Sequence, residues 1–260
     1  MNKRAIINET LKYRYKTVAE KYSVFGLFLY GSQNYGLDTE GSDIDTYAIV
    51  FPTAEMIAYN KELDNKESEF DGGKLVYMDI RKFFSLLLKG NPNALEIMES
   101  EYFLINADYE DFYYTICEKI NWWHLNPDST LEAFKGIMKS YYDKFVKTRN
   151  MKYFANAVRC TEMATSYSEY ILGKSGIMSF YLPASSRAAL LPYKINNSDN
   201  LMSYNECCSL LEEYNDTMIG MLRFNDSDLA ELKDNKVKYT KQLRTIQKNM
   251  MIEYLKKDLR

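Results

Sequence analysis

Residues 30–51 read YGSQNYGLDTEGSDIDTYAIVF. An apolar run, Val24–Tyr30 (VFGLFLY), stops at Gly31-Ser32; ten residues later come Asp43 and Asp45, with one residue between them, in front of a second apolar stretch. A strand has a period of two, so Asp43 and Asp45 point to one face with their Cα atoms roughly 6–7 Å apart. Carboxylates that close repel each other unless a cation sits between them, and hard oxygen ligands of this kind suit Mg²⁺ or Mn²⁺, which take further ligands from water and substrate phosphates. At Gly31-Ser32, glycine lets the backbone approach a phosphate and the Ser32 hydroxyl can donate to it. Each piece alone is what an ordinary turn, or a strand beside solvent, would show. Their order within one short stretch is the stronger signal.

Working outward, Ile6, Ile7, Leu11, Tyr15 and Val18 recur at near-helical spacing and predict an amphipathic first helix over residues 5–21. The period then changes. Val24–Tyr30 reads as a buried strand, residues 43–51 as a second ended by Pro52, and residues 74–80 (KLVYMDI) as a third after the turn signal Asp71-Gly72-Gly73. Beyond Arg81 the pattern is helical: RKFFSLLLKG closes at Gly90, Asn91-Pro92-Asn93 opens another helix, and helices follow at about residues 108–121, 128–149, 151–173, 203–221 and 227–258. This predicts an α/β unit over residues 1–105 and a helical unit over residues 106–260.

Composition narrows the class. Tyr (23) and Phe (13) are abundant and Pro (5) and Gly (11) sparse, which argues for a compact, mostly helical protein. A net charge of −3 gives no global attraction to a polyanion, so any nucleic acid must meet a local basic patch or depend on metal ions. Residues 231–260 hold nine Lys/Arg against four Asp/Glu, a solvated helix or an RNA-contacting patch. The four cysteines (Cys117, Cys160, Cys207, Cys208) lack metal-ligand spacing and read as reduced thiols of a cytoplasmic protein. No 18-residue apolar run and no signal-peptide pattern occurs, so no membrane partner is expected.

The joint pattern, Gly31-Ser32 followed by Asp43-Ile44-Asp45, resembles the nucleotidyltransferases of the DNA polymerase β superfamily over roughly residues 22–82. With DIRKFFSLLLKGNPNALEIM (residues 79–98), it is similar to a predicted-nucleotidyltransferase family that includes RNA-ligase-associated members. The resemblance implies an α+β fold, a nucleotidyltransferase-type α/β domain with a short mixed sheet followed by a helical domain closing the nucleotide cleft. It implies two-metal transfer of an NMP from an NTP to an acceptor, with pyrophosphate leaving. Asp43 and Asp45 are then the metal ligands, and Gly31, Ser32 and Ser42 belong to the nucleotide-binding loop. The third carboxylate is open: where related sequences carry it, this chain has Lys74, flanked by Asp71 and Asp79. Asp79 is preferred, with a helix cap as its other reading. Lys152, Asn156 and Arg159 fall on one helix face together with Met163, Tyr167 and Tyr170 and resemble the family's K-x-x-x-H-x-x-R, with Asn where histidine is expected. That implies triphosphate binding by Lys152 and Arg159 with a tyrosine stacked on the base, and no proton transfer from residue 156. Asn91, Asn93 and Glu96 match NPN-x-x-E, which a turn and cap also explain. RNA, a tRNA or a broken RNA end, is the implied acceptor. A protein side chain is the enzymatic alternative, and a non-turning-over nucleotide- or RNA-binding module the other.

Overall fold

In the computed structural model, the described residues are 2–61, 63, 67–70, 72–176, 178–195, 201–221 and 226–258. Helix α1 (Lys3–Ala19) leads into β1 (Val24–Tyr30), a single turn α2 (Ser32–Tyr35), β2 (Asp45–Val50), a short α3 (Ala54–Ala58), β3 (Glu67–Phe70), β4 (Gly73–Asp79), α4 (Ile80–Leu88), α5 (Pro92–Met98) and β5 (Phe103–Ile105). Then come α6 (Glu110–Lys119), α7 (Pro127–Thr148), α8 (Met151–Ile171), α9 (Ala184–Lys194), α10 (Tyr204–Met221) and α11 (Asp226–Asp258). The expected helices and strands are present, and β3, β5, α9 and the short α2 and α3 are additions. The fold is α+β.

The sheet order is β3-β4-β2-β1-β5, with β2 and β4 parallel and the other neighbours antiparallel. Both of its faces are covered, which is why β1 reads as an unbroken apolar run. Leu27 and Leu29 of β1, Ala48 and Val50 of β2, and Leu75 and Tyr77 of β4 face α1. Phe28, Ile49 and Met78 face the opposite side. A register shift between Val24 and Gly26 reverses the alternation once, so Val24 joins the α1 side while Phe25 turns to the other. The second cluster is continuous from Phe25 through α4, α5, α7 and α8 to Tyr254 of α11, so one apolar core crosses from the sheet into the helices. Two residues, Arg149 and Asn150, connect α7 to α8, and Arg149 takes the left-handed conformation (φ 55°) that turns the chain back. At the sheet end away from Asp45, Tyr254 stacks on Phe51 (4.4 Å) and donates to the Pro52 carbonyl (2.8 Å).

The buried stripe of α1 is Ile7, Leu11, Arg14 and Val18, so a guanidinium lies inside the apolar face while Ile6 is exposed. Arg14 Nη1 donates to the Ile44 carbonyl (2.6 Å), Thr46 Oγ1 (2.9 Å) and the Lys74 carbonyl (2.9 Å). It braces β2 against β4 at the point where Asp45 leaves the sheet. Burial lowers the Arg14 pKa, and Asp45 and Tyr30 oppose that shift. Replacing Arg14 by Met leaves these acceptors unpaired and is expected to cost about 2–4 kcal/mol. Urea titration should show a lower midpoint at unchanged slope; a stability within about 0.5 kcal/mol of wild type would mean that the brace holds nothing.

Candidate active site

Gly31 ends β1 with φ 85° and ψ −147°, a conformation open only to glycine. Its N–H is turned inward, where the carboxylate of Glu96 accepts it together with the Tyr35 hydroxyl and the Asn34 amide (3.3 Å). Glu96 is 3% exposed, and burial raises its pKa against the pull of those donors and of Arg159. Asn34 also donates to the Leu29 carbonyl (2.9 Å), closing the turn. The Gly31 N–H is therefore spent within the protein, and the Ser32 hydroxyl is the side-chain donor this turn presents to the cleft. Of the NPN-x-x-E residues, Asn91 caps α5 through the Asn93 N–H (3.0 Å) and Asn93 lines the cleft. Glu96 is no cap: it is the buried anchor of the loop. The legible signal was a carboxylate inside ALEIM, where Ala94, Leu95, Ile97 and Met98 are all buried.

The cleft encloses about 310 Å³, within the range of small-molecule sites. Gly31, Ser32, Asp45 and Tyr47 form one wall, and Lys152, Asn156 and Arg159 of α8 with Lys194 of α9 form the facing one. Asp45 opens β2, half-buried, with its Oδ1 accepting the Lys74 N–H (2.9 Å). Asp43 is exposed, two residues ahead of the strand that was expected to contain it. Neither carboxylate has an ion-pair partner among the described residues, which with their hard oxygen donors fits them to a divalent cation. No group of three or more potential metal ligands gathers among the described residues.

Arg159 is 6% exposed, its guanidinium 3.8 Å from the centre of the Tyr35 ring. Its Nη atoms point at the sulfurs of Met163 (3.2 Å) and Cys160 (3.7 Å), and its Nε has no partner. Burial works against the charged form, but Tyr35, Cys160, Tyr141 and Glu96 more than offset it and the group stays charged. Lys194, which the sequence pattern did not single out, donates to the Leu37 carbonyl. Its pKa is lowered, by burial and then by Lys152, with Arg159 adding and Asp38 and Asp43 opposing. The segment leading into α9 also grips the loop, since the Leu182 N–H donates to the Tyr35 carbonyl (3.2 Å), and Arg187 Nε holds the Leu182 carbonyl from within α9 (3.1 Å).

Three expectations are corrected. Asp79 is no partner of Asp43 and Asp45. The β2–β4 register sets Thr46 opposite Leu75 and Val50 opposite Asp79, so Lys74 neighbours Asp45 while Asp79 stands five residues on, roughly 16 Å away along the strand. Asp79 is fully buried, caps α4 through the Arg81 N–H (2.8 Å) and pairs with the Arg81 guanidinium (2.6 Å). Asp71 lies outside the described residues. Ser42 is outside the cleft lining and accepts the Thr39 N–H (2.7 Å), holding a turn. The α8 tyrosines do not face the cleft either: Tyr167 is buried and donates to the Trp123 carbonyl (2.6 Å), and Tyr170 accepts from Asn121 (2.9 Å). The cleft's aromatic walls come from Tyr30 and Tyr47, 4.3 Å apart, with Tyr35, Tyr141 and Phe180. Burial, with Glu96, Glu67 and Asp45, pushes Tyr47 up to about 12.

A glycine turn and the unpaired Asp45 at the mouth of a mixed sheet thus share one cleft with cations from a helical pair. The family model described as "RlaP: RNA repair pathway DNA polymerase beta family" matches residues 7–166, more than half of the chain, and the protein belongs to that family of nucleotidyltransferases. No protein of curated function matches the sequence. Among solved structures, the chain is similar to a nucleotidyltransferase-like protein from Exiguobacterium sibiricum 255-15, at 11% identity over 96% of this chain and 92% of that one, with a TM-score of 0.32.

Glu96 yields a pH test. A carboxyl whose folded pKa lies above its unfolded value stabilises the fold most fully below the unfolded value, and that contribution is lost as pH rises through the folded one. Relative to Glu96→Gln, wild type should therefore be at its best near pH 4.5 and lose ground steadily toward neutrality in urea titrations. A pH-independent difference would place the Glu96 carboxyl in water-like surroundings.

Proposed function

We propose that the protein transfers a nucleoside monophosphate from an NTP to an RNA end, using a divalent cation, Mg²⁺ or Mn²⁺, held by Asp43 and Asp45. One observation carries this reading. Lys152, Arg159 and Lys194 form no ion pair among the described residues and line one cleft with the equally unpaired Asp45, while Asp43, also unpaired, is exposed outside the lining on the loop that leads into β2. A metal–triphosphate has the complementary charge on both sides.

In this reading Arg159 and Lys194 bind phosphate oxygens at the closed end and Lys152 at the cleft rim, with the Ser32 hydroxyl donating from the opposite wall. Tyr47, Tyr141 and Phe180 offer flat apolar surface to the base. Asn156 has its amide turned to the Lys152 carbonyl (2.9 Å), so α8 positions and neutralises without moving a proton. When bound, the cation polarises the phosphoryl oxygens and offsets their charge as pyrophosphate departs.

RNA as acceptor rests on the family description and on α11. Between Asp234 and Glu253 this helix carries Lys236, Lys238, Lys241, Arg244 and Lys248 and no carboxylate. A strip of this kind attracts a polyanion to a protein of net charge −3. Four free cysteines suit a reducing cytoplasm, and among the described residues no helix is long and apolar enough to cross a membrane.

Labelled NTPs incubated with RNA and Mg²⁺ should yield labelled RNA, and Asp43→Asn with Asp45→Asn should cut transfer on the order of 10²-fold or more while the fold persists. Lys194→Ala should raise KM for the NTP about tenfold or more. Changing Lys241, Arg244 and Lys248 to Gln should flatten the salt dependence of RNA binding by roughly 0.7 per cation removed. Label on protein instead of RNA would move the acceptor to a side chain. Nucleotide binding without transfer to either would mark a binding module.

A further inference from the structure

Beyond the cleft rim the chain keeps the same sign. From Lys144 to Thr161, across the end of α7 and the start of α8, it carries five cations, Lys144, Lys147, Arg149, Lys152 and Arg159, and no carboxylate. Arg159 is buried in the cleft, the other four are exposed, and none of the five forms an ion pair among the described residues. Two of them are held by rings instead. The Lys144 ammonium lies over Tyr141 and Tyr153 (5.5 and 5.8 Å to the ring centres), and the Arg149 guanidinium over Tyr204 (4.9 Å). Tyr141 lines the cleft and its ring lies 6.2 Å from that of Tyr153, so this patch begins at the cleft wall.

A ring face restrains a cation without neutralising it, whereas a carboxylate would do both. These side chains are thus positioned with their charge uncancelled. Arg149 takes the left-handed conformation (φ 55°) that glycine or asparagine adopts at lower cost, and Lys152 stands in the first turn of α8, where the helix dipole disfavours a positive charge. Local stability selects neither residue. Asp143, the carboxylate that precedes Lys144, borders the groove between α7 and α10 with Glu212 and Asp216 and is absent from the cleft lining.

We propose that the turn between α7 and α8 is the track by which a single-stranded RNA end reaches the cleft, its backbone phosphates lying along Lys147, Arg149 and Lys144 and arriving at Lys152 on the rim. This rests on the nucleotidyl-transfer reading above and assigns a surface to its acceptor. Lys144, Lys147 and Arg149 lie outside the cleft lining, so a bound NTP leaves them unmatched, whereas a backbone that continues outward from the rim meets each of them. The family description makes RNA the polyanion in question. The basic strip of α11 contributes no residue to the cleft lining, so it holds nucleotides away from the reacting end.

The test separates acceptor from nucleotide. Lys144→Gln, Lys147→Gln and Arg149→Gly are combined in the full-length protein; glycine suits the left-handed turn, so the fold is expected to persist, and circular dichroism checks it. In fluorescence anisotropy, a labelled single-stranded oligoribonucleotide should bind this variant about tenfold or more weakly than wild type, with the salt slope reduced by roughly 0.7 for each cation removed. The Kd for α,β-methylene NTP analogues should stay at its wild-type value. Oligoribonucleotides carrying 4-thiouridine near one end or the other are also photo-crosslinked to wild type, and label from one of the two ends should fall within residues 141–153. Unchanged RNA affinity and slope in the folded variant, or label from neither end on the turn, would overturn the proposal and leave the transfer reading standing. An equal loss of affinity for the NTP analogues would overturn it too, by giving these cations to the triphosphate. The wild-type crosslinks decide the matter even if the variant does not fold. Transfer by wild type to protein, or to nothing, would instead sink the underlying reading of an RNA acceptor.

Discussion

The site depends on a buried carboxylate. Removing an ionised glutamate from water is costly unless hydrogen bonds and opposite charge replace the lost hydration. Glu96 is satisfied from both directions: the N–H of Gly31, the Asn34 amide and the Tyr35 hydroxyl come from the turn, and the field of Arg159 comes from α8. Tyr35 is the hinge of this arrangement, because its hydroxyl donates to Glu96 while its ring carries the Arg159 guanidinium. The turn after β1 and the cationic helix are therefore parts of one electrostatic unit. Losing either would leave the other with an uncompensated charge in the core.

Arg14 plays the corresponding role on the opposite face of the sheet. It lies under the mouth of β2 and β4, tying the Ile44 and Lys74 carbonyls together just behind the two residues whose side chains emerge beside each other, Asp45 and Lys74. Gly73 contributes from the same side, since at φ 141° a side chain there would run into the backbone of Ile44. One buried ion thus fixes the turn after β1 and another fixes the start of β2. The relation between Ser32 and Asp45 follows from packing that neither residue takes part in.

Much of this was legible because it is local. The apolar run ended by Gly31-Ser32, the spacing of Asp43 and Asp45, and the 3.6-residue recurrence of Lys152, Asn156 and Arg159 are properties of short stretches, and the cleft brings most of them together. What was not legible is non-local. No spacing within KLVYMDI says that residue 74 rather than 79 lies beside Asp45; only the pairing register decides it. A helix face is also longer than a site: Lys152 to Arg159 reaches the cleft, whereas Met163 and Tyr167 have passed into the core. Strands β3 and β5 have four and three residues, too few to show alternation, and α9 contains Pro192, which hides Lys194 in what reads as an irregular segment. Arg14 and Glu96 sit on apolar stripes, where a charge looks like an exception until its partners from elsewhere in the chain are known.

The charges of the cleft are divided along the chain. Asp45 and the Ser32 donor belong to the sheet region, and Lys152, Arg159 and Lys194 to the helices, so neither part alone presents both signs to the cleft. The family match ends at residue 166, beyond Arg159 and before α9, which places Lys194 outside the matched segment. Yet α9 and the residues before it are bound to the loop at two points, through Leu182 to Tyr35 and Lys194 to Leu37. The loop that carries Asp43 is thereby held to a helix that carries a cation of the cleft. The Lys194 ammonium carries three N–H donors, so it can hold the Leu37 carbonyl and still present its charge to the cleft.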